Sequence, residues 1–208
     1  MAGHPILAAV YDRLLATSER EGLSELRAGL LSGAAGRTLE IGAGTGLNLE
    51  HYPLAVTQLV LTEPDPHMAK RLRSRLDETT PVAPTEVVEA GAEELPFDDT
   101  SFDTVVSTLA LCTVPDPERA AAEAKRVLRP DGRLLFIEHV RDQEGTGRAR
   151  WQDRLERPWG WVAGGCHPNR NTGQLLARTF ATVEADAAEF PGSGTALVKP
   201  LITGSARP

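Results

Sequence analysis

Cysteine is scarce. The chain has two, Cys112 and Cys166, too far apart for a C-x-x-C metal or redox motif and too few for a disulfide-stapled scaffold. Basic residues are in the minority, 22 against 29 acidic ones, for a formal charge of −7. Binding a nucleic-acid backbone needs a clustered basic surface, so no nucleic-acid partner is expected. No run of about 18 apolar residues is present that could span a bilayer, and residues 1–15 lack the basic-then-apolar layout of a secretion signal. The expected location is the cytoplasm. Disorder is excluded as well, because 41% of the residues are apolar and only 25% charged. A chain of 208 residues is about one domain's worth and long enough to bury a real core.

What is present alternates. Short apolar runs at 38–41, 58–62, 87–89, 102–107 and 133–139 read as strands, and the segments between them carry helical spacing. Strands alternating with helices predict βαβ units and a parallel sheet, an α/β class. Asp65-Pro66 and Asp116-Pro117 each pair an N-cap with proline at the first helical position. The second helix is expected to run through 120–128 and to stop at Arg129-Pro130-Asp131-Gly132, with a strand beginning at Arg133. Ahead of the first strand, Ile6, Val10 and Leu14 share one helical face within 4–27, which predicts a helical cover over 1–36. A core over 37–140 and an acceptor-side segment over 141–208 complete one domain. Its end, 181–202, reads as two strands joined antiparallel around Pro191-Gly192-Ser193-Gly194.

The most informative stretch is Glu40-Ile41-Gly42-Ala43-Gly44-Thr45-Gly46, which follows the first strand and is expected to open a helix over 47–51. Glycines there let the backbone turn sharply and approach a ligand with no Cβ in the way. The spacing is G-x-G-x-G, not the G-x-G-x-x-G of dinucleotide sites, which counts against a nicotinamide oxidoreductase. Glu63, at the end of the second strand, stands where such folds place an acid for ribose hydroxyls. A bound nucleoside is the simplest reading.

These residues, with Ala92-Glu93-Glu94-Leu95-Pro96-Phe97, resemble the class I S-adenosylmethionine (SAM)-dependent methyltransferases over about 37–140. The resemblance implies a Rossmann-like sandwich with a mostly parallel seven-stranded sheet and a C-terminal antiparallel hairpin. It also implies SAM as cofactor, S-adenosylhomocysteine as product and a small-molecule acceptor. Glu40, Gly42, Ala43, Gly44, Thr45, Gly46 and Asn48 would approach the methionine end. Glu63, Pro64 and Met68 would lie by the ribose. Gly91, Ala92 and Glu93 would face the adenine, although Gly91 stands where the family usually has an acid. Thr108, Leu109 and Ala110 would border the methyl group, and Tyr11 would reach over SAM from the amino-terminal helix. A closer resemblance, from Val105 to Cys112, Arg126 to Pro130, Ile137 to Val140 and through Trp151, Trp159 and Cys166 to Arg170, is to the alkyl-thiol S-methyltransferases. Animal members of that group begin with a membrane anchor, which is not legible here. Bacterial relatives resemble phospholipid N-methyltransferases and methylases of secondary metabolites.

His139, at a strand's carboxyl end, is the general-base candidate, its ordinary pKa lying near 6.5. A thiol acceptor weakens that need, since a thiol of pKa about 8.5 is already a few per cent ionised at pH 7. Cys112 reads as a small buried hydrophobe, and no metal site is expected from Cys166, His167 and His139. Trp151 and Trp159, interleaved with Arg148, Arg150, Arg154 and Arg157, read as an acceptor-pocket wall, a peripheral membrane contact or a packed helix with a wet face. Residues 70–75 read as the wet face of the helix after the second strand. A non-catalytic SAM-binding module is the alternative of another class, and the oligomeric state is not legible.

Overall fold

The computed structural model describes residues 5–192 and 195–208. Its sheet has seven strands in the order β3-β2-β1-β4-β5-β7-β6. These are β1 (Gly36–Ile41), β2 (Val56–Thr62), β3 (Thr85–Val88), β4 (Phe102–Thr108), β5 (Leu128–His139), β6 (Thr182–Glu189) and β7 (Pro200–Arg207). The pairings among β1 to β5 are parallel. β7 runs antiparallel to both β5 and β6. The helices are α1 (Pro5–Ser18), α2 (Ser24–Leu31), α3 (Pro66–Glu78), α4 (Pro117–Val127), α5 (Gly147–Val162) and α6 (Thr172–Thr179). The central strands β2, β4 and β5 are apolar on both faces, as a sheet covered on both sides requires, while β1 buries Leu39 and Ile41 on one face and Thr38 and Glu40 on the other. Leu39, Ile41, Val60, Val105, Leu134 and Phe136 pack on one side with the alanines of α4. Leu31, Leu59, Leu61, Leu72, Val106 and Leu135 pack on the other.

Both aspartate caps form. Asp65 accepts from the His67 amide at 2.8 Å and Asp116 from the Arg119 amide at 3.0 Å, each with proline in the first turn. Two helix expectations are corrected. The amino-terminal segment is not one helix: a π-turn, Glu19–Leu23, separates α1 from α2, and Gly22 inside it has φ 132°. That backbone conformation is open to glycine alone among ordinary residues. Val10 is half-buried and Leu14 exposed, while the Ile6 side chain lies outside the description. The glycine loop opens no α-helix over 47–51 but a single 3₁₀ turn, Leu49–His51. Pro53 is the cause, since it holds Tyr52 extended at φ −68°, ψ 132°.

Strand limits shift too. β5 begins at Leu128, not Arg133, because Leu128 pairs with Phe102 before a register irregularity leads to Arg133 opposite Thr104. α4 accordingly ends at Val127. β3 covers Thr85–Val88 and leaves Glu89 outside. The final two strands do pair antiparallel, but β7 runs on to Arg207 and a 3₁₀ turn, Ala196–Val198, precedes it. Ser193 and Gly194 of the expected connection lie outside the described residues.

Candidate active site

The site is built on the carboxyl ends of β1, β2, β4 and β5, where open α/β sheets bind ligands. Gly42, Gly44 and Gly46 have φ 64°, 57° and 85°, conformations costly for any residue with a Cβ. Their surroundings differ. A Cβ on Gly42 would lie 2.8 Å from that of Ala110, and one on Gly46 2.7 Å from Leu72. Those two glycines permit close packing. A Cβ on Gly44 would meet nothing within 4 Å, so its freedom serves the open side, where a ligand would sit. Glu63 braces this loop: one carboxylate oxygen accepts from the Gly44 amide and the other from the Asp65 amide, both at 2.8 Å. Partial burial raises its pKa against these two bonds.

Behind the loop lies a buried polar network. Glu40 accepts from Asn48 Nδ2 at 2.8 Å and from the Tyr52 hydroxyl at 2.6 Å. Asn48 also donates to Thr108 Oγ1 at 2.8 Å. Arg27, only 4% exposed, donates to Asn48 Oδ1 at 2.8 Å, to Thr108 at 3.2 Å and to Glu19 at 3.1 Å. Burial pushes Glu40 up to about 7 despite these partners and Tyr11 up to about 12. Tyr11, Glu40, Gly42, Ala43, Gly44, Thr45, Asn48 and Thr108 thus line one cavity, and Arg27 and Leu47 join them. Sequence gave no sign of Arg27, which sits in an amphipathic helix like any solvated arginine.

The cavity holds only about 20 Å³, against roughly 300–1,000 Å³ for a drug-sized ligand. It is shut by α1. Asp12 accepts from Thr45 Oγ1 at 2.6 Å and from Arg75 at 2.5 Å, clasping the helix to the glycine loop and to α3. Arg75 is therefore not part of a wet face. Lys70 and Arg71 do face outward, into an open hollow beside α1. Leu72, within the same run, is fully buried.

The other predicted residues lie outside that cavity. Met68 is buried on α3, and Ala92 packs into the core beside Val60 and Leu95. Gly91 lies close to the Glu93 carboxylate, which accepts from the Asp116 amide at 3.4 Å. Pro64 is half-buried. Leu109 adopts φ 59° and starts a turn that the sequence reading overlooked as a built feature. Glu138, fully buried on β5, accepts from Ser107 Oγ at 2.6 Å and from the amides of Ala110, Leu111 and Cys112 at 3.2, 3.0 and 3.0 Å. Burial raises it to about 7. His139, next in sequence, is 6% exposed and its Nδ1 has no hydrogen-bond partner. Burial holds it down to about 4 against one bond to the Val198 main chain. It lies 5.1 Å from the Phe190 ring and does not line the cavity. The described residues contain no cluster of three or more metal-ligating groups.

A methyltransferase domain family matches residues 39–136. Human thiol S-methyltransferase TMT1B is 35% identical over 80% of this chain and 68% of its own length. For human thiol S-methyltransferase TMT1A the figures are 33%, 95% and 81%. The chain is a class I SAM-dependent methyltransferase. That membership sets aside the nicotinamide oxidoreductase and the non-catalytic module: this is an enzyme whose cofactor is SAM. A phosphatidylethanolamine N-methyltransferase of Cereibacter sphaeroides is 35% identical over 61% of this chain and 63% of its own. The fold is that of a SAM-dependent methyltransferase from Thermotoga maritima, with TM-score 0.71 and 24% identity over 98% and 96% of the two chains. It is shared with the N-methyltransferase NodS of Bradyrhizobium japonicum, whose structure holds S-adenosyl-L-homocysteine, at TM-score 0.66 and 20% identity over 92% and 88%.

The residues fit SAM even though the closed cavity does not yet admit it. Gly44 offers an open backbone face, Glu63 a carboxylate beside it, and Arg27 a cation at the far end.

Proposed function

We propose that this methyltransferase acts on the sulfur of a small thiol. The observation that carries this reading is the acceptor side itself. His139, the titratable group expected there, is held neutral and weakly basic, and its surroundings, Leu109, Phe190, Ile137 and Leu201, are apolar. Such a wall suits a nucleophile that ionises unaided, and the resemblance to thiol S-methyltransferases points the same way. When bound, SAM would supply a sulfonium methyl to the thiolate sulfur, with S-adenosylhomocysteine as the leaving group and the thiol proton released to water. The chain's own work is positioning and exclusion of water. Glu63 would accept from ribose hydroxyls with its remaining lone pairs. Arg27 would complement the methionine carboxylate, and Glu40 and Asn48 would hold that end. Pro64, Met68 and 91–93 would flank the nucleoside, while 108–110 would carry the turn beside the methyl group. α1 lifts about Gly22 to admit SAM and closes through Asp12. The reaction is expected to run in the cytoplasm.

The test is S-adenosylhomocysteine release with an alkyl thiol, the alcohol of the same skeleton and the corresponding amine. Turnover with the thiol alone supports the reading, and turnover with the amine alone overturns it. One observation favours a second reading, an amine on a phospholipid. The outer face of α5 carries Arg150, Trp151, Arg154, Arg157, Trp161 and Val162, with Trp161 89% exposed. The acids of that helix face their own partners, Asp153 with Arg141 and Glu156 with His167, which leaves the arginines free for anionic headgroups. Release of S-adenosylhomocysteine on phosphatidylethanolamine vesicles but not with free thiols would select it. No helix among the described residues is long and apolar enough to cross a membrane.

A further inference from the structure

The chain's two cysteines meet in the fold. Cys112, in the turn held by Glu138, and Cys166, between α5 and α6, share one buried cluster with Val198, Leu109, Trp159 and Ala163. The Cys112 carbonyl accepts from the His167 amide at 2.8 Å, which lays the two segments side by side. The two thiols lie close enough to perturb each other's ionisation, and the Cys112 sulfur donates to the Leu109 carbonyl at 3.4 Å. The pair is unequal. Cys112 is fully buried, whereas Cys166 retains 6% exposure. The neighbouring Cys112 lowers Cys166, and Cys166 together with burial raises Cys112. The Trp159 indole Nε1 is buried with no hydrogen-bond partner among the described residues, and the Trp159 side chain, packed in the same cluster as Cys166, helps to lower that thiol. Arg170, anchored on the Leu111 carbonyl at 2.6 Å, adds a cation near both thiols. Gly164 and Gly165, at φ 63° and 92°, lead into Cys166. Trp161 and Val162, just before them, are exposed, and a local opening of this segment would give Cys166 access to solvent.

We propose that Cys112 and Cys166 form a thiol–disulfide exchange site on the acceptor side of the fold, which takes small aliphatic disulfides and closes to an internal disulfide. The Cys166 thiolate attacks one sulfur of the organic disulfide, the S–S bond breaks, and one thiolate leaves to take a proton from water. Cys112 then attacks the sulfur of Cys166 in the mixed disulfide, and the second thiol departs with the Cys112 proton. Two protein thiols are oxidised and one organic disulfide is reduced to two thiols. The bond ties the turn that packs Ala110 against Gly42 to the segment after α5, and excess thiol reverses it by the same exchange.

The test uses the full chain, folded, with no SAM and no methyl acceptor, so its outcome is separate from that of the thiol-acceptor reading. Bis(2-hydroxyethyl) disulfide is added at pH 8, and intact mass and free thiols are followed. The expected wild-type product has lost both titratable thiols and the mass of two hydrogens, carries no adduct, and is restored by dithiothreitol. Cys112→Ser is expected to stop at one mixed disulfide on Cys166, and Cys166→Ser to stay unreacted over the same time. Accumulation of an unresolved adduct on the wild type, reaction of Cys166→Ser at the wild-type rate, or reaction only after urea unfolding would each overturn the proposal.

Discussion

Glu138→Gln tests whether the turn over 110–112 is organised by a carboxyl group that burial keeps from ionising. The wild-type carboxyl titrates at about 7 when folded against an ordinary 4.5. A raised acid contributes stability that is fully present below pH 4.5 and lost as pH rises through 7. About 2.5 pH units at roughly 1.4 kcal/mol each make that loss about 3 kcal/mol. Glutamine does not titrate, so the variant lacks this slope. It also keeps one acceptor oxygen. Turned toward Ser107, Ala110 and Leu111, that oxygen preserves three of the four bonds and leaves the Cys112 amide facing an NH₂ group. An unsatisfied buried donor of this kind costs about 1–3 kcal/mol. In urea titrations the variant is therefore expected to be less stable than wild type near pH 5, with the gap closing or reversing by pH 8. Glu40 and His139, which also titrate abnormally, are common to both proteins and cancel in the difference. A gap that is constant, or that widens with pH, would refute the reasoning.

Gly44→Ala is expected to fold, at a cost of about 1–2 kcal/mol for its left-handed backbone, yet to lose SAM binding by calorimetry, because its Cβ would point into open space that only a ligand fills. Tight binding by the folded variant would take the loop out of the cofactor site. Asp12→Ala removes the clasp on Thr45 and Arg75, so SAM association followed by tryptophan fluorescence is expected to be faster than in wild type. An unchanged rate would mean that α1 does not gate entry. His139→Ala is expected to slow transfer to an alkyl thiol far less than the roughly 10²–10⁴-fold typical of a lost general base. A loss of that size would restore His139 as the base.

The sequence was most legible where local chemistry decides the structure. Asp65-Pro66 and Asp116-Pro117 start helices because cap and proline act within one turn, and Leu39, Ile41, Val105 and Val106 build strands buried on both faces. The glycine loop was legible for the same reason, and its residues 42–45 do share one cavity with Tyr11, Glu40, Asn48 and Thr108. Legibility failed where residues distant in sequence decide. Arg27 and Glu138 look like ordinary charged positions until Asn48 and Thr108, or the amides of 110–112, close around them. His139 was singled out for its chemistry, yet burial against residues far along the chain, Phe190 among them, takes away most of its basicity, and the bond to the Val198 main chain restores only part of it. The missing helix after the loop was in reach of sequence, since Pro53 forbids the continuation that the apolar spacing suggested.

The position of β7 also bears on how the molecule is made. The edge of β5 from Leu134 to His139 is completed by Leu201 to Ala206, while the strand made before β7, β6, pairs with β7 alone. During synthesis β5 therefore emerges with an open edge, and it stays open while α5, α6 and β6 are produced. Unpaired edges of this length invite pairing with other chains. Closure comes only when β7 slides between β5 and β6, and the same insertion sets His139 opposite Leu201. The surroundings of His139 are thus the last part of the enzyme to exist, and destabilising changes in β7 are expected to lower the yield of soluble protein before they alter affinity for SAM.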